Sequence, residues 1–393
     1  MSGRAVPAPI EPRLLEPVLA PLGRSRTLPA AAYTSEEVLD FELRRLWQRS
    51  WVCAGHAGSW PAPGHQAAVS VAGQGVLLVR DQAGTLRGFY NVCRHRGHEL
   101  LECGTAVVER TVRCPYHAWV YRLDGRLRTA PRFGQLDPDD PVREGLVPAR
   151  VAEWHGWVFV DVSGEAPDLA EYLGNLGEPL APYRPEALVP AASRRYLVRA
   201  NWKLLVENYH ECYHCPSIHP ELCRVSPSDS GEDFEPRGMW AGGSMDLRAH
   251  AETMSLDGRG GGHPLPWLPE RARRQVLYLG LFPNLLVSAH PDYVLTHRLE
   301  PVAPDQTQVE CEWLFPQDAV AADGFDPAFA VDFWDVTNRQ DFAACESVQR
   351  GTASHGYRQG PLAAQEGSAR HFLTMVAAGY LEGPGPAAAL TPP

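Results

Sequence analysis

The sequence predicts an α+β fold in which a small all-β domain precedes a larger domain with an antiparallel sheet flanked by helices. From Trp51 onward, short apolar runs are broken by Gly, Pro and Asp, which is typical of small β domains. Residues 275–316 alternate between apolar and polar side chains like antiparallel strands, with helical patterns around them. We expect an N-terminal arm and helix packed on the larger domain at 1–48, the small domain at 49–165, the larger domain at 166–380 and a disordered tail at 381–393.

The N-terminal region predicts a Pro-rich extended arm up to about residue 30, followed by one helix. Residues 34–37 are typical of a helix start, and apolar residues then recur at helical spacing up to about Arg49. In the small domain, six short runs predict strands: Ala67–Val71, Gly75–Arg80, Leu86–Val92, Thr111–Arg113, Trp119–Leu123 and Trp157–Val162.

The larger domain mixes strands, helices and one long loop region. After a strand at Tyr196–Arg199, Asn201 is placed to cap a helix from Trp202 to about Cys215. The Gly-, Pro-, Asp- and Ser-rich residues 226–269 predict a long loop region, and loops of this length inside a domain are often lids or substrate walls. Four strands and a final helix follow, at Gln275–Phe282, Leu285–His290, Tyr293–Glu300, Gln308–Pro316 and from about Pro327 to Arg350.

Composition narrows the class of protein. The 36 Lys and Arg residues against 47 Asp and Glu give a net charge of −11, which argues against nucleic acid or an anionic membrane as the main partner. No apolar run is long enough to span a membrane and no signal-peptide core is present, so we expect a cytoplasmic protein. Seven of the nine cysteines predict buried or free thiols of a reducing compartment: Cys53, Cys103, Cys212, Cys215, Cys223, Cys311 and Cys345.

The most specific pattern pairs Cys93-x-His95 with Cys114-x-x-His117 across a gap of 18 residues. Two thiolates can hold one iron of a two-iron, two-sulfide cluster while two imidazoles hold the other, which raises the reduction potential. A structural zinc site is the alternative, but zinc fingers of this type keep both Cys in one knuckle and both His in the other. The pattern therefore favours an electron-transfer cluster.

The residues around these two knuckles fit the same interpretation. Gly97 permits a tight turn, and Trp119 and Tyr121 are placed to shield a cluster. Four arginines lie near the knuckles and predict either ordinary solvated surface or a docking face for an acidic electron donor: Arg94, Arg96, Arg113 and Arg122.

An electron relay implies a second site where the electron is used, and residues 201–220 offer one. On a helix, Glu207, Glu211 and His214 would share one face, and His219 could fold back beside His214. Two imidazoles and one carboxylate would hold a ferrous ion and leave positions open for oxygen and substrate.

The third ligand of this site has several candidates in the sequence. The carboxylate could come from Glu207, from Glu211 or from a remote acid. The best remote candidate is Asp341 on the final helix, with Glu346 as its rival and Asp335 as a weaker choice.

Together the two motifs resemble the oxygenase component of the Rieske non-haem iron oxygenases, over residues 33–381. The resemblance implies a Rieske domain followed by a catalytic domain of the ring-hydroxylating alpha-subunit type. It implies that the cluster ligands are Cys93, His95, Cys114 and His117 and that the iron ligands are His214, His219 and Asp341.

The resemblance also assigns roles to two further residues and to partners. Glu211 stands where the family has an acid that links a cluster histidine of one subunit to an iron histidine of its neighbour, and Asn208 matches an Asn near the iron. A head-to-tail homotrimer is implied, with electrons from NAD(P)H arriving through a separate flavin and iron–sulfur reductase. Dioxygen would be the co-substrate.

Several segments resemble the branch of this family that oxidises glycine betaine, choline, stachydrine and carnitine. Many ring-hydroxylating relatives carry Asp at the position of Glu211, whereas this branch carries Glu. The segments are 209–220, 239–245, 282–286, 311–315 and 333–350. This resemblance implies hydroxylation of an N-methyl group or of a carbon beside a quaternary nitrogen.

A quaternary ammonium ion cannot form hydrogen bonds, so aromatic faces would recognise it. The aromatic candidates are Trp240, Trp267, Tyr278, Phe282, Tyr293 and Trp313. A substrate carboxylate would need a partner, for which His263, Arg298 and His290 are candidates. The competing functions are hydroxylation of an aromatic or other neutral molecule, a non-catalytic electron carrier and a zinc-bound structural protein.

Overall fold

The computed structural model describes residues 8–134, 144–261 and 264–382. These residues form two units, one made of residues 47–166 and one that combines residues up to 46 with those from 167 onward. Both contain antiparallel sheets, and the larger one also carries the long helices, so the predicted α+β class is confirmed. Among the described residues, no helix is long and apolar enough to span a membrane.

Residues 47–166 form an all-β unit. Its strands are β1 (Val52–His56), β2 (His65–Val71), β3 (Gln74–Arg80), β4 (Leu86–Tyr90), β5 (Ala106–Val108), β6 (Val112–Arg113), β7 (Val120–Tyr121), β8 (Leu127–Thr129), β9 (Pro148–Trp154) and β10 (Trp157–Asp161). Seven strands form one sheet in the order β1-β10-β9-β4-β3-β2-β5, and β6-β7-β8 form a small second sheet. The knuckle cysteines Cys93 and Cys114 are buried in an apolar core with Phe89 and Trp119, which fixes the two knuckle loops.

The larger unit is built on a seven-stranded antiparallel sheet. Its strands are β11 (Leu188–Val198), β12 (Glu232–Asp233), β13 (Trp240–Asp246), β14 (Gln275–Leu281), β15 (Leu285–Ala289), β16 (Val294–Ala303) and β17 (Gln306–Pro316). They are ordered β11-β17-β16-β15-β14-β13-β12. The predicted strand at Tyr196–Arg199 is thus the end of the eleven-residue β11.

The helices are α1 (Glu16–Leu19), α2 (Ala31–Thr34), α3 (Glu36–Glu42), α4 (Leu169–Leu173), α5 (Gly177–Leu180), α6 (Trp202–Tyr209), α7 (Cys215–Ile218), α8 (Pro220–Val225), α9 (Gln317–Val320), α10 (Ala328–Thr352) and α11 (Gly367–Glu382). A π-helical turn at Leu43–Trp47 extends α3, which agrees with the predicted helix up to about Arg49. Ser35 caps α3 by accepting a hydrogen bond from the Val38 N–H. Helix α6 packs against both α10 and α11, so the segment that follows α6 lies beside the two long helices.

The expectations for the arm, for the long loop and for the first two residues of the tail were wrong. The described part of the predicted arm is not simply extended, because α1 lies within it and Arg26 forms a β-bridge with Pro361. The long loop predicted at 226–269 contains the strands β12 and β13. The glycine at position 242 lets β13 pair closely with β14, since a Cβ there would lie 2.1 Å from the Tyr278 carbonyl oxygen. Residues 381 and 382 close α11, and the rest of the predicted tail lies outside the described residues.

A buried polar network joins α6 to α3 and α11. The Lys203 ammonium and the Trp202 indole N–H donate to the Glu42 carboxylate at 2.7 and 2.8 Å, and the Tyr380 hydroxyl donates to it from α11. Because a buried charge is stable only when paired and hydrogen-bonded, these contacts specify how α3, α6 and α11 meet.

Candidate functional site

The two knuckles bring the first set of predicted ligands together. Cys93 and Cys114 are 2 % and 1 % exposed, and the rings of His95 and His117 lie with their centroids 4.6 Å apart. Burial and the neighbouring Cys93 raise the pKa of the Cys114 thiol. The two knuckles thus carry two buried thiols and two imidazoles that are less buried than the sulfurs.

The surroundings of this set restrict its geometry. The Tyr121 hydroxyl lies 3.3 Å from Sγ of Cys93 and accepts a hydrogen bond from the Arg94 N–H at 3.1 Å. Trp119 stacks on His95 with the ring centroids 5.1 Å apart. Nδ1 of His95 is buried and has no hydrogen-bond partner among the described residues. A buried polar atom without a partner is uncommon, so this nitrogen is available to bind a ligand from outside the chain.

The four predicted arginines lie on the surface around the knuckles, and all of them are exposed: Arg94, Arg96, Arg113 and Arg122. Two large apolar side chains, Tyr116 and Phe133, are also exposed there, at 57 % and 47 %. Positive charge next to exposed apolar surface suits a docking face, and that interpretation stays a prediction.

The predicted helix from Trp202 to Cys215 is wrong in its second half, because α6 ends at Tyr209. The Glu211 carboxylate accepts hydrogen bonds from the Tyr213 and His214 N–H groups, which closes a turn where the helix would have continued. Glu207, Glu211 and His214 therefore do not share a helix face. The side chain of Glu211 instead contacts Nδ1 of His214 from within the turn.

This turn also corrects the expectation for two cysteines. Cys212 and Cys215, with Cα atoms 4.9 Å apart, form a disulfide, and His214 lies between them in the sequence. The other five cysteines are thiols, as predicted: Cys53, Cys103, Cys223, Cys311 and Cys345.

His214, His219 and Asp341 converge at the end of the turn. Nε2 of His214 and Nε2 of His219 lie 3.2 Å apart, and Oδ1 of Asp341 lies 2.8 Å from the second and 3.3 Å from the first. One ligand atom from each residue falls within 4.8 Å of the others, so a single metal ion fits among them. Burial favours the neutral carboxyl, but hydrogen bonds from the two histidines outweigh it and lower the pKa of Asp341.

Each histidine is oriented through its other nitrogen. Nδ1 of His219 lies 2.8 Å from the Gln340 side-chain oxygen, and Nδ1 of His214 contacts Glu211. Burial opposes the charged form of His214, yet Asp341 and Glu211 raise its pKa to about 9. An imidazole that donates through one nitrogen presents the other to a metal, so both Nε2 atoms are directed to the shared point.

The rival carboxylates are engaged elsewhere. The Tyr33 hydroxyl donates to Glu207 at 2.9 Å, and burial raises the pKa of Glu207 to about 8. Glu346 accepts from the Arg199 N–H at 3.1 Å, and Asp335 accepts from the Tyr196 hydroxyl at 2.6 Å. The amide nitrogen of Asn208 lies 3.4 Å from Nε2 of His214, close to the convergence point.

A cavity of about 440 Å³ opens beside the three converging residues. Three aromatic rings line it, with centroids 5.9 Å apart for Tyr209 and Tyr278 and 6.4 Å apart for Tyr278 and Trp334. The polar ends of Tyr209 and Trp334 are bonded outward, to Ser288 and Tyr293 at 2.9 Å each. The rings therefore turn their carbon surface to the cavity.

Of the six aromatic residues predicted for the pocket, Tyr278 lines this cavity. Trp240 donates to Asn175, Trp267 donates to the Tyr183 carbonyl, and Phe282, Tyr293 and Trp313 are buried in the core. Sequence reasoning missed Tyr209 and Trp334. A signal was present, since Trp334 precedes Asp341 by seven residues, which places both on one face of α10.

The predicted carboxylate partners lie elsewhere or outside the described residues. Arg298 pairs with Glu310, and His290 is buried against Tyr293 with the ring centroids 4.0 Å apart. His263 lies outside the described residues.

Two family models match the chain. Residues 50–151 match the Rieske [2Fe-2S] domain, and residues 185–382 match the ring hydroxylating alpha subunit catalytic domain. The glycine betaine monooxygenase oxygenase subunit of Chromohalobacter salexigens is 32 % identical over 367 residues, covering 85 % of this chain and 81 % of that protein. The carnitine monooxygenase oxygenase subunit of Escherichia coli is 36 % identical over 196 residues, covering 49 % and 52 %.

Solved structures give the same picture. The quaternary ammonium Rieske monooxygenase CntA, in complex with an inhibitor, aligns with a TM-score of 0.80 and 26 % identity, covering 96 % of this chain and all of that one. Naphthalene 1,2-dioxygenase aligns with a TM-score of 0.72 at 22 % identity over 92 % of this chain and 94 % of that one, which shows a shared fold.

Proposed function

Because this chain belongs to the ring-hydroxylating oxygenase alpha subunits that carry a Rieske [2Fe-2S] domain, we propose that it hydroxylates a C–H bond beside a quaternary nitrogen. As a member of that family it is an oxygenase that uses dioxygen, a Rieske cluster, a mononuclear iron and electrons from a separate reductase. The observation that carries the choice of substrate is the aromatic-walled cavity beside the three converging ligands.

The reaction takes up two electrons, two protons and dioxygen, and it delivers one oxygen atom to the carbon and the other to water. When an N-methyl carbon is hydroxylated, the carbinolamine collapses to formaldehyde and the demethylated amine. The electrons come from NAD(P)H through a flavin and iron–sulfur reductase.

Cys93, His95, Cys114 and His117 hold the Rieske cluster in this proposal. When bound, the cluster accepts one electron at a time at the raised potential that imidazole ligands confer. Two observations support the assignment: both thiols are buried, and Nδ1 of His95 is buried without a hydrogen-bond partner among the described residues.

His214, His219 and Asp341 would hold the mononuclear iron. A ferrous ion bound by two imidazoles and one carboxylate would supply the activation of dioxygen. The role of the chain is to fix the three donors, which Gln340 and Glu211 do by occupying Nδ1 of the two rings. Asp341 is favoured over Glu207, Glu346 and Asp335 because each of those has another partner.

Glu211 is proposed to connect the two metal sites of neighbouring subunits in a homotrimer. A carboxylate held against the His214 ring can also accept from a cluster histidine of another copy, which gives a short hydrogen-bonded path. A solved structure of a quaternary ammonium Rieske monooxygenase gives insights into inter-subunit electron transfer in that protein. Asn208 assists by donating toward the convergence point.

The cavity wall is suited to a quaternary ammonium ion. Such an ion is attracted to aromatic faces, and Tyr209, Tyr278 and Trp334 offer three beside the iron ligands.

The proposal includes a cytoplasmic location, because NAD(P)H and a soluble reductase are found there.

A substrate panel with a surrogate reductase tests the proposed function. Formaldehyde and substrate loss are measured with glycine betaine, choline, carnitine, stachydrine and several arenes. We expect oxidation of at least one quaternary amine and none of the arenes. Hydroxylation of arenes alone would contradict the proposal, and cluster reduction without any product would favour an electron carrier. A colourless protein containing zinc would overturn the metal assignment.

A further inference from the structure

The charge of the cavity lining distinguishes among quaternary amines. The described residues that line it include five carboxylates and neither a lysine nor an arginine: Glu211, Asp229, Glu232, Asp233 and Asp341. Two of these, Glu211 and Asp341, face the imidazoles. The other three lie at the exposed mouth, and none of them forms an ion pair with a described residue.

A substrate bound for reaction would direct the substituent farthest from the iron ligands toward these acids. The reacting carbon must lie beside His214, His219 and Asp341, so the substituent across the nitrogen points away from the iron ligands. There it meets Asp229, Glu232 and Asp233 at the mouth or neutral groups on the wall. A carboxylate on that substituent would lose water without gaining a cationic partner, which costs free energy.

The neutral polar groups of the lining favour a neutral polar substituent. The lining includes neutral polar side chains, among them Ser228, Ser244 and Gln365. A hydroxyl or an amide can exchange hydrogen bonds with such groups in both directions, whereas a carboxylate can only accept.

Two arginines among the described residues line a second cavity that adjoins the first. Arg271 and Arg274 line that cavity, which shares Glu232 and Ser244 with the first. Arg274 is already bonded to the carbonyls of Leu247, Arg248 and Ala251. A substrate carboxylate reaching for Arg271 would stand beside Glu232, which repels it.

We propose that the preferred substrate is a monocation, a quaternary ammonium whose remaining polar substituent is neutral, and not a zwitterion with a free carboxylate. This inference rests on the proposed oxidation beside a quaternary nitrogen. It places the specificity in the acids of the mouth and in the neutral polar side chains of the lining.

Three probes of similar size test it with the holoenzyme and a surrogate reductase. Choline carries a hydroxyl, glycine betaine carries a carboxylate, and glycine betaine amide replaces that carboxylate with a neutral amide of nearly the same size. We expect kcat/KM for choline and for the amide to exceed that for glycine betaine by roughly tenfold or more. Equal or better turnover of glycine betaine than of its amide would overturn the monocation proposal while leaving the proposed function intact. Failure of all three probes alongside hydroxylation of an arene would overturn the proposed function itself.

A charge reversal tests the acids directly. Glu232→Lys should lower the ratio of kcat/KM for choline to that for glycine betaine, because the mouth then attracts a carboxylate. The matched control is Glu235→Lys, at an exposed acid three residues away that does not line the cavity. A ratio, unlike an activity, is unaffected by partial loss of enzyme. Equal ratios in both variants would overturn the role of the mouth.

Discussion

Oδ1 of Asp341 lies 2.8 Å from Nε2 of His219, although the two residues are 122 positions apart in the chain. Packing of α10 against α6 and α8 brings them together, and Gln340 on the same helix turn holds the other nitrogen of His219. The ligand set proposed for the iron therefore depends on the packing of long helices as much as on the local motif.

Asp341→Ala tests the third ligand. Two imidazoles alone hold ferrous iron weakly, so we expect mononuclear iron to be lost and turnover to fall roughly a hundredfold or more. The visible spectrum of the cluster should stay intact, because its proposed ligands are in the other unit. Glu346→Ala is the control, and it should keep both iron and activity. Retained iron in Asp341→Ala would show that another group is the ligand.

Glu211→Gln tests the proposed bridge. The amide oxygen can still accept from the Tyr213 N–H, so the turn is expected to persist while the negative charge is lost. Both metals should remain bound, and electron transfer from cluster to iron should slow by roughly ten- to hundredfold. Rapid mixing of reduced enzyme with dioxygen and substrate measures this rate. An unchanged rate, with Glu235→Gln as the reference, would remove Glu211 from the path.

Tyr121→Phe tests the surroundings of the cluster. Burial raises the pKa of the Tyr121 hydroxyl, which therefore stays protonated 3.3 Å from Sγ of Cys93. A hydrogen bond to a ligand sulfur stabilises the reduced, more negative cluster, so its loss should lower the reduction potential by tens of millivolts as an order of magnitude. A redox titration followed by visible absorption measures the change. Tyr116→Phe, at an exposed tyrosine, should leave the potential unchanged, and a shift of equal size there would contradict the account.

Glu207→Gln tests the buried carboxyl beside Tyr33. Burial raises the pKa of Glu207 from its ordinary value of 4.5 to about 8 in the folded protein. Between these two pH values the folded state holds a proton that the unfolded chain has released, so stability falls as the pH rises from 4.5 to 8. The variant lacks this loss, and its Tm relative to wild type should rise by roughly 2 to 4 °C between pH 5 and pH 8.5. Glu235→Gln should track wild type, and a flat difference for Glu207→Gln would contradict the buried, protonated state.

Much of the fold and of the ligand set follows from local sequence. The two knuckle motifs and the pair His214 and His219 are short-range patterns whose chemistry is legible in the residues themselves. The fold class follows from periodicity, and the comparisons with known proteins confirm it.

What sequence reasoning missed depends on long-range packing or on side chains acting against local propensity. The stretch after Tyr209 has helical periodicity, but the Glu211 carboxylate closes a turn there, and no periodicity reports that contact. Strand β13 was hidden by its glycines, which normally indicate loops and here allow close approach to β14. Trp334 joins the cavity wall only because α10 packs beside α6.

A single-turnover experiment tests the central claim, oxidation beside a quaternary nitrogen at the site of His214, His219 and Asp341. The holoenzyme is reduced without its reductase, freed of excess reductant and mixed with dioxygen and choline. We predict that demethylated or otherwise oxidised amine appears in proportion to the filled mononuclear iron sites, and that Asp341→Ala forms none despite a reducible cluster. Reoxidation of the cluster without any oxidised amine, across choline, glycine betaine amide and glycine betaine, would contradict the account.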